Sequence, residues 1–177
     1  MFIFGFFIDS IGHYLILFKA PNIWLYHFYT LGEYCFLVLI FSSWQKNVVF
    51  KKVLRLSILM FAVIWIIAKI FFEKFDQPDN YTASLECVFL VGIAALTMYE
   101  VHRESMKSLF RDERFWVASA VLIYFTGNLL SFALSNLIGN WSFHHSLLNI
   151  ISNLFYAGGF VCFHHRLNYG GLLSSAL

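Results

Sequence analysis

Charge is scarce in this sequence, and so are the residues that interrupt helices. Only 12% of its 177 residues are Asp, Glu, Lys or Arg, about half the share that a soluble domain carries. With 60% hydrophobic residues and a mean hydropathy of +0.71, it has too little polar surface to clothe a water-facing globule of this length. Two prolines leave long runs in which nothing forces a helix to stop. The three cysteines, Cys35, Cys87 and Cys162, have no CxxC or CxxH spacing. They read as small packing residues rather than a disulfide scaffold or a zinc site. Also missing are a Gly-rich phosphate loop, a His-Glu-x-x-His helix and a Gly-x-Ser-x-Gly elbow, so no familiar catalytic motif is present. The N-terminus has no cationic region followed by a small-residue cleavage site, so no removable signal peptide is expected. The net charge of +2 comes from loops and does not imply a nucleic-acid partner.

What is present is long apolar sequence. A membrane helix needs about 20 mostly apolar residues, and six segments qualify: about 2–18, 25–44, 53–72, 82–101, 115–137 and 143–164. The expected fold is all-α, a polytopic bundle of six transmembrane helices forming one domain over residues 1–177. Nine of the twelve Lys and Arg residues fall in three places between or after these segments. They are Lys46, Lys51, Lys52 and Arg55, then Arg103, Lys107, Arg111 and Arg114, then Arg166. The opposite loops hold Lys19 and Lys74. Cations beside membrane helices stay on the cytoplasmic side, so both termini are expected in the cytoplasm. Trp24, Tyr26, Tyr81 and Trp141 then mark the outer boundary, and Trp44 and Trp116 the inner one. The lipid bilayer is the first partner implied.

Ionisable groups inside such segments are costly and are functional candidates by default. Asp9 and Glu33 fall near the midplane, where no Lys or Arg shares their depth. His13 follows Asp9 by four residues and shares its face. Lys69 and Glu86 fall about one turn inside the outer surface on consecutive helices and are expected to form an ion pair, with Glu73 as an i+4 alternative for Lys69. The last segment carries a polar stripe of His145, Asn149 and Asn153 at i, i+4 and i+8. The fifth carries Asn128, Ser131 and Ser135. Such stripes can serve as glue between helices. They can also line a cavity with Asp9, His13, Glu33 and Glu86, open to a small polar ligand. Gly127, Gly158 and Gly159 are expected to let helices approach closely. The adjacent pairs His144-His145 and His164-His165 point about 100° apart and make poor metal geometry alone. No cofactor or metal is implied.

Three stretches carry a family likeness: Leu25-Tyr26-His27-Phe28-Tyr29-Thr30-Leu31-Gly32-Glu33-Tyr34; Ser84-Leu85-Glu86; and Phe115-Trp116 through Leu122-Ile123-Tyr124-Phe125-Thr126-Gly127-Asn128 to Asn136, then His145, Asn149 and Asn153. Together they resemble a group of uncharacterised bacterial multi-pass membrane proteins with six or seven helices, similar to the membrane input regions of some sensor histidine kinases. Members of that group carry one more N-terminal helix, and this chain begins at what resembles their second. The resemblance implies a bacterial plasma (inner) membrane location and sensing rather than chemistry. The leading expectation is a sensing or small-ligand-binding module that works through a cytoplasmic signalling or membrane-protein partner. The alternative is a small transporter or channel subunit using Asp9 and Glu33, for which a homo-oligomer is expected. Third is an intramembrane metal-dependent hydrolase, which needs Asp9, His13, Glu33 and His145 to converge. A non-enzymatic role is favoured.

Overall fold

The computed structural model describes residues 14, 23–75, 80–104, 109–133 and 141–174, with the backbone alone at 109, 131–133, 141–146 and 165–174. The described elements are all helical: α1 (Ile23–Trp44), α2 (Val48–Phe71), α3 (Asn80–Glu104), α4 (Glu113–Ala133) and α5 (Trp141–Ser174), with a 3-10 turn at Leu109–Arg111 before α4. Each expected segment from the second to the sixth coincides with one of these helices; the first, 2–18, lies outside the described residues. Four stretches are long and apolar enough to cross a membrane: Ile23–Trp44, Val48–Phe71, Asn80–Glu104 and Leu147–His164.

The helices overrun their apolar segments for identifiable reasons. Helix α2 begins at Val48 rather than Val53 because Asn47 caps it, its Oδ1 accepting from Val49 N at 2.9 Å and Phe50 N at 3.3 Å. This is the favoured geometry for Asn at a helix start. The first turns of α2 therefore include Lys51, Lys52 and Arg55. Helix α5 continues to Ser174 rather than His164; its 34 residues rise about 51 Å, more than a bilayer needs.

The chain divides into two compact units, Met1–Glu86 and Cys87–Leu177, with the division inside α3. In the first, α1 and α2 pack antiparallel. Tyr34 Oη donates to Ser57 Oγ at 3.0 Å and Trp65 Nε1 donates to the His27 carbonyl at 3.0 Å, so the partners run in opposite directions along the two helices. The Tyr34 and Phe61 rings stack with centroids 4.1 Å apart. Leu54, Phe61, Trp65 and Ala68, the buried residues of α2, repeat at seven, four and three and form one narrow face. Around the rest of α2, Val49, Val53, Leu56, Met60, Val63, Ile67 and Ile70 are exposed, the pattern of a helix that meets lipid on most of its circumference.

In the second unit α4 and α5 are joined through glycines, as the sequence suggested. Gly127 lies under the Leu148 side chain. A Cβ at Gly158 would come 2.9 Å from Cε3 of Trp116, and one at Gly159 would come 3.2 Å from Val117 Cγ2. Small residues at these points let the two backbones approach. Trp116 is fixed in turn: its Nε1 donates to the Phe110 carbonyl at 2.9 Å, and its ring packs on Phe155 with centroids 5.7 Å apart.

Candidate functional site: the polar interior of the first unit

Three carboxyl side chains among the described residues up to 86 are buried, those of Glu33, Glu73 and Glu86. Glu33, at the middle of α1, is 4% exposed, and Glu86, on α3, is 3% exposed. Helical spacing places Tyr29 one turn before Glu33 on the same face, and Tyr29 Oη donates to Glu33 Oε1 at 3.0 Å. Tyr34, the next residue, is fully buried and tied to Ser57 on α2. Ser57 Oγ in turn donates to the Leu54 carbonyl at 2.7 Å. Tyr29, Glu33, Tyr34 and Ser57 thus form a polar set between α1 and α2, and Glu86 is a further buried carboxyl, on α3.

A second polar group closes one end of the unit. At the end of α2, Phe72 N and Glu73 N both donate to the Ala68 carbonyl at 2.8 Å. That turn folds Glu73 back over the helix end. Its Oε2 pairs with Lys69 Nζ at 2.6 Å, the two side chains being 4% and 2% exposed, and accepts from Thr82 Oγ1 at 2.7 Å. Its Oε1 accepts from Tyr81 N at 2.5 Å and Thr82 N at 3.1 Å. Glu73 therefore caps the first turn of α3 from the preceding helix, where a negative charge also suits the helix dipole. Lys69 donates to Thr82 Oγ1 at 3.1 Å and stands 5.4 Å from the centroid of the Trp65 ring. Burial alone would push the Glu73 carboxyl up; the hydrogen bonds from Lys69 and Thr82, with the Lys69 charge, outweigh it and hold it below the ordinary carboxylate value.

This geometry corrects the expected Lys69–Glu86 pair. Glu73 sits one helical turn from Lys69 and at the mouth of α3, whereas Glu86 lies four residues past Thr82, about 6 Å deeper along α3. The i+4 alternative is the pair that forms. The expected polar stripe of α5 is also only partly interior. Asn149 is half-buried, but Asn153 is exposed. Ser152 donates to the Asn149 carbonyl of its own helix at 3.1 Å. Asn128 on α4 is buried. Glu33 and Glu86 thus belong to one unit, and Asn128, Asn149 and Asn153 to the other. Asp9, His13 and the side chain of His145 lie outside the described residues, so of the four groups needed by a metal-dependent hydrolase only Glu33 is described. Among the described residues no three His, Cys, Asp or Glu converge as metal ligands.

The segment between α3 and α4 is tied by a charge network that the sequence did not signal. Arg114 Nη2 donates to Glu104 Oε2 at 2.9 Å and to Asp112 Oδ2 at 2.8 Å, while Asp112 Oδ1 caps Arg114 N at 2.9 Å. The hydrogen bond to Asp112 raises the Arg114 pKa, burial works against it, and Glu104 adds to the rise. Compared with protein-family models, with curated proteins and with solved structures, the chain matches none.

Proposed function

We propose that the chain is an integral membrane sensing or small-ligand-binding module of six membrane helices, with both termini in the cytoplasm of a bacterial cell. It holds a small polar molecule or a lipid headgroup at Glu33 and Glu86 and acts through a partner on its cytoplasmic loops. One observation carries this reading: besides Glu73, which is matched by Lys69, two further carboxyl side chains, Glu33 and Glu86, are buried on largely apolar helices. A charged side chain at the centre of a membrane helix costs about 3 kcal/mol on insertion scales, a cost that packing alone gives no reason to bear. Two ties frame the pair. Tyr34–Ser57 joins α1 to α2, and Lys69–Glu73–Thr82 joins α2 to α3. The cation distribution supports the orientation, and the likeness to sensor input regions agrees with sensing.

The test is thermal unfolding of the full chain in nanodiscs against a panel of amino acids, amines, sugars and phospholipid headgroup fragments. One chemical class raises Tm in the parent protein, and Glu33→Gln and Glu86→Gln each abolish the rise while Asn153→Ala does not. A rise of equal size in both carboxyl variants would remove the site. Flux of the same solute into proteoliposomes, lost in Glu33→Gln, would make the chain a transporter.

A further inference from the structure

The two described basic segments differ in how their charge is met. Between α3 and α4, Arg114 is bound by Asp112 and Glu104, and Glu100 and Glu113 lie in the same stretch. Around the turn into α2 the sequence has no Asp or Glu between Glu33 and Glu73. Among the described residues, no carboxylate pairs with Lys51, Lys52 or Arg55. At about 100° per residue these three cations share an arc of roughly 100° on α2. Like charges at i+3 and i+4 repel one another, and no acidic residue occupies the first turn of this helix. Lys52 and Arg55 are exposed and Lys51 is half-buried.

The same arc continues down the helix as bare hydrocarbon. Leu59, Val63, Ile66 and Ile70 follow Lys52 at helical spacing, and all four are exposed. Leu54, Phe61, Trp65 and Ala68, on the opposite face, are buried. One helix face therefore offers a concentrated positive charge at its end and an apolar strip leading from it. From Arg55 to Ile66 the strip runs about 16 Å, roughly one leaflet of a hydrocarbon core about 30 Å thick.

We infer that this face of α2 is a docking surface for an anionic phospholipid, with the headgroup phosphate on Lys51, Lys52 and Arg55 and the acyl chains along Leu59, Val63 and Ile66. The phosphate supplies negative charge beside the three cations, and the tails cover a strip that is exposed among the described residues. A soluble anion would satisfy the cations but leave the strip bare. The inference is independent of the Glu33–Glu86 site, which lies on other helices.

The experiment is native mass spectrometry of the full chain in a neutral detergent, titrated with dioleoyl phosphatidylglycerol or dioleoyl phosphatidylcholine. Phosphatidylglycerol binds the more tightly. The preference falls about fivefold for each cation replaced by Gln at 51, 52 and 55, as expected for Lys or Arg at a membrane surface. Lys51→Arg with Lys52→Arg keeps the preference, and so does Arg103→Gln, which removes an exposed cation elsewhere. If the triple Gln variant does not fold, the three single variants carry the test, each losing about fivefold. Equal affinity for the two lipids, or a preference that survives loss of the cations, overturns the inference. Displacement of phosphatidylglycerol by inorganic phosphate at equal concentration also overturns it, because the surface would then be a free-anion site.

Discussion

Replacing Glu73 with glutamine keeps the shape of the tie between α2 and α3 but removes its charge. In the parent protein the carboxylate accepts from Lys69 Nζ, Thr82 Oγ1, Tyr81 N and Thr82 N. An amide can still accept on one side, but on the other it turns an N–H toward two donors. Lys69, whose side chain is 4% exposed, is left as a cation without its anion. Breaking a buried pair costs about 3–5 kcal/mol. Here the helix end is near and Lys69 can swing its ammonium toward water along an apolar stem, so about 2–3 kcal/mol is expected. Lys69→Met combined with Glu73→Gln removes the stranded charge, so the double variant is more stable than Glu73→Gln alone, and the cycle gives a coupling of about 2 kcal/mol. Unfolding by dodecyl sulfate in mixed micelles, followed by far-ultraviolet ellipticity, measures the parent, Glu73→Gln, Lys69→Met and the double variant. Because the Glu73 pKa is lowered on folding, its contribution is present above the unfolded carboxylate pKa and is lost as pH falls through the folded value. The parent protein should lose this stability only below about pH 4.3, and Glu73→Gln should flatten that dependence. Strictly additive single effects in the double variant would refute the reasoning.

Four further substitutions have defined outcomes. Gly158→Leu drives a side chain into the Trp116 ring, which is held by the Phe110 carbonyl; it should cost about 1–3 kcal/mol, whereas Gly92→Ala, with nothing within 4 Å of its new Cβ, should gain up to about 1 kcal/mol in the same unfolding assay. Tyr34→Phe removes the bond to Ser57 and should cost about 0.6–1 kcal/mol, the range of hydrogen bonds between membrane helices. Glu104→Gln breaks a partly exposed pair with Arg114 and should cost under about 1 kcal/mol, an effect that fades as salt is raised.

The helices were legible because long apolar runs bounded by cations and turn residues leave few alternatives. Their ends were less so, since apolar length says nothing about a cap such as Asn47 that starts α2 ahead of its apolar stretch. The ion pair was half legible. Lys69 has candidate partners at Glu73 and Glu86, and counting depth along idealised helices favours the wrong one. The chain turn at Ala68 that swings Glu73 over the mouth of α3 has no local sequence signature. Serine partners are not legible from spacing, because a hydroxyl can bond a carbonyl of its own helix. Ser42, Ser57, Ser119 and Ser152 all do so. Glu33 and Glu86 stood out in sequence because carboxyls at that depth are rare, and burial of both is what the structure adds.

On the proposed function, Glu33 and Glu86 are kept for binding rather than for packing. The most direct test is the unfolding free energy of Glu33→Gln and Glu86→Gln in nanodiscs without added ligand. Glutamine preserves side-chain volume and an acceptor for Tyr29, so the expected change is within about 0.5 kcal/mol, or a gain, as at sites where function is maintained against stability. A loss of about 1–3 kcal/mol in both variants, the penalty for disrupting a buried hydrogen-bond network, would contradict it and make the two carboxyls structural.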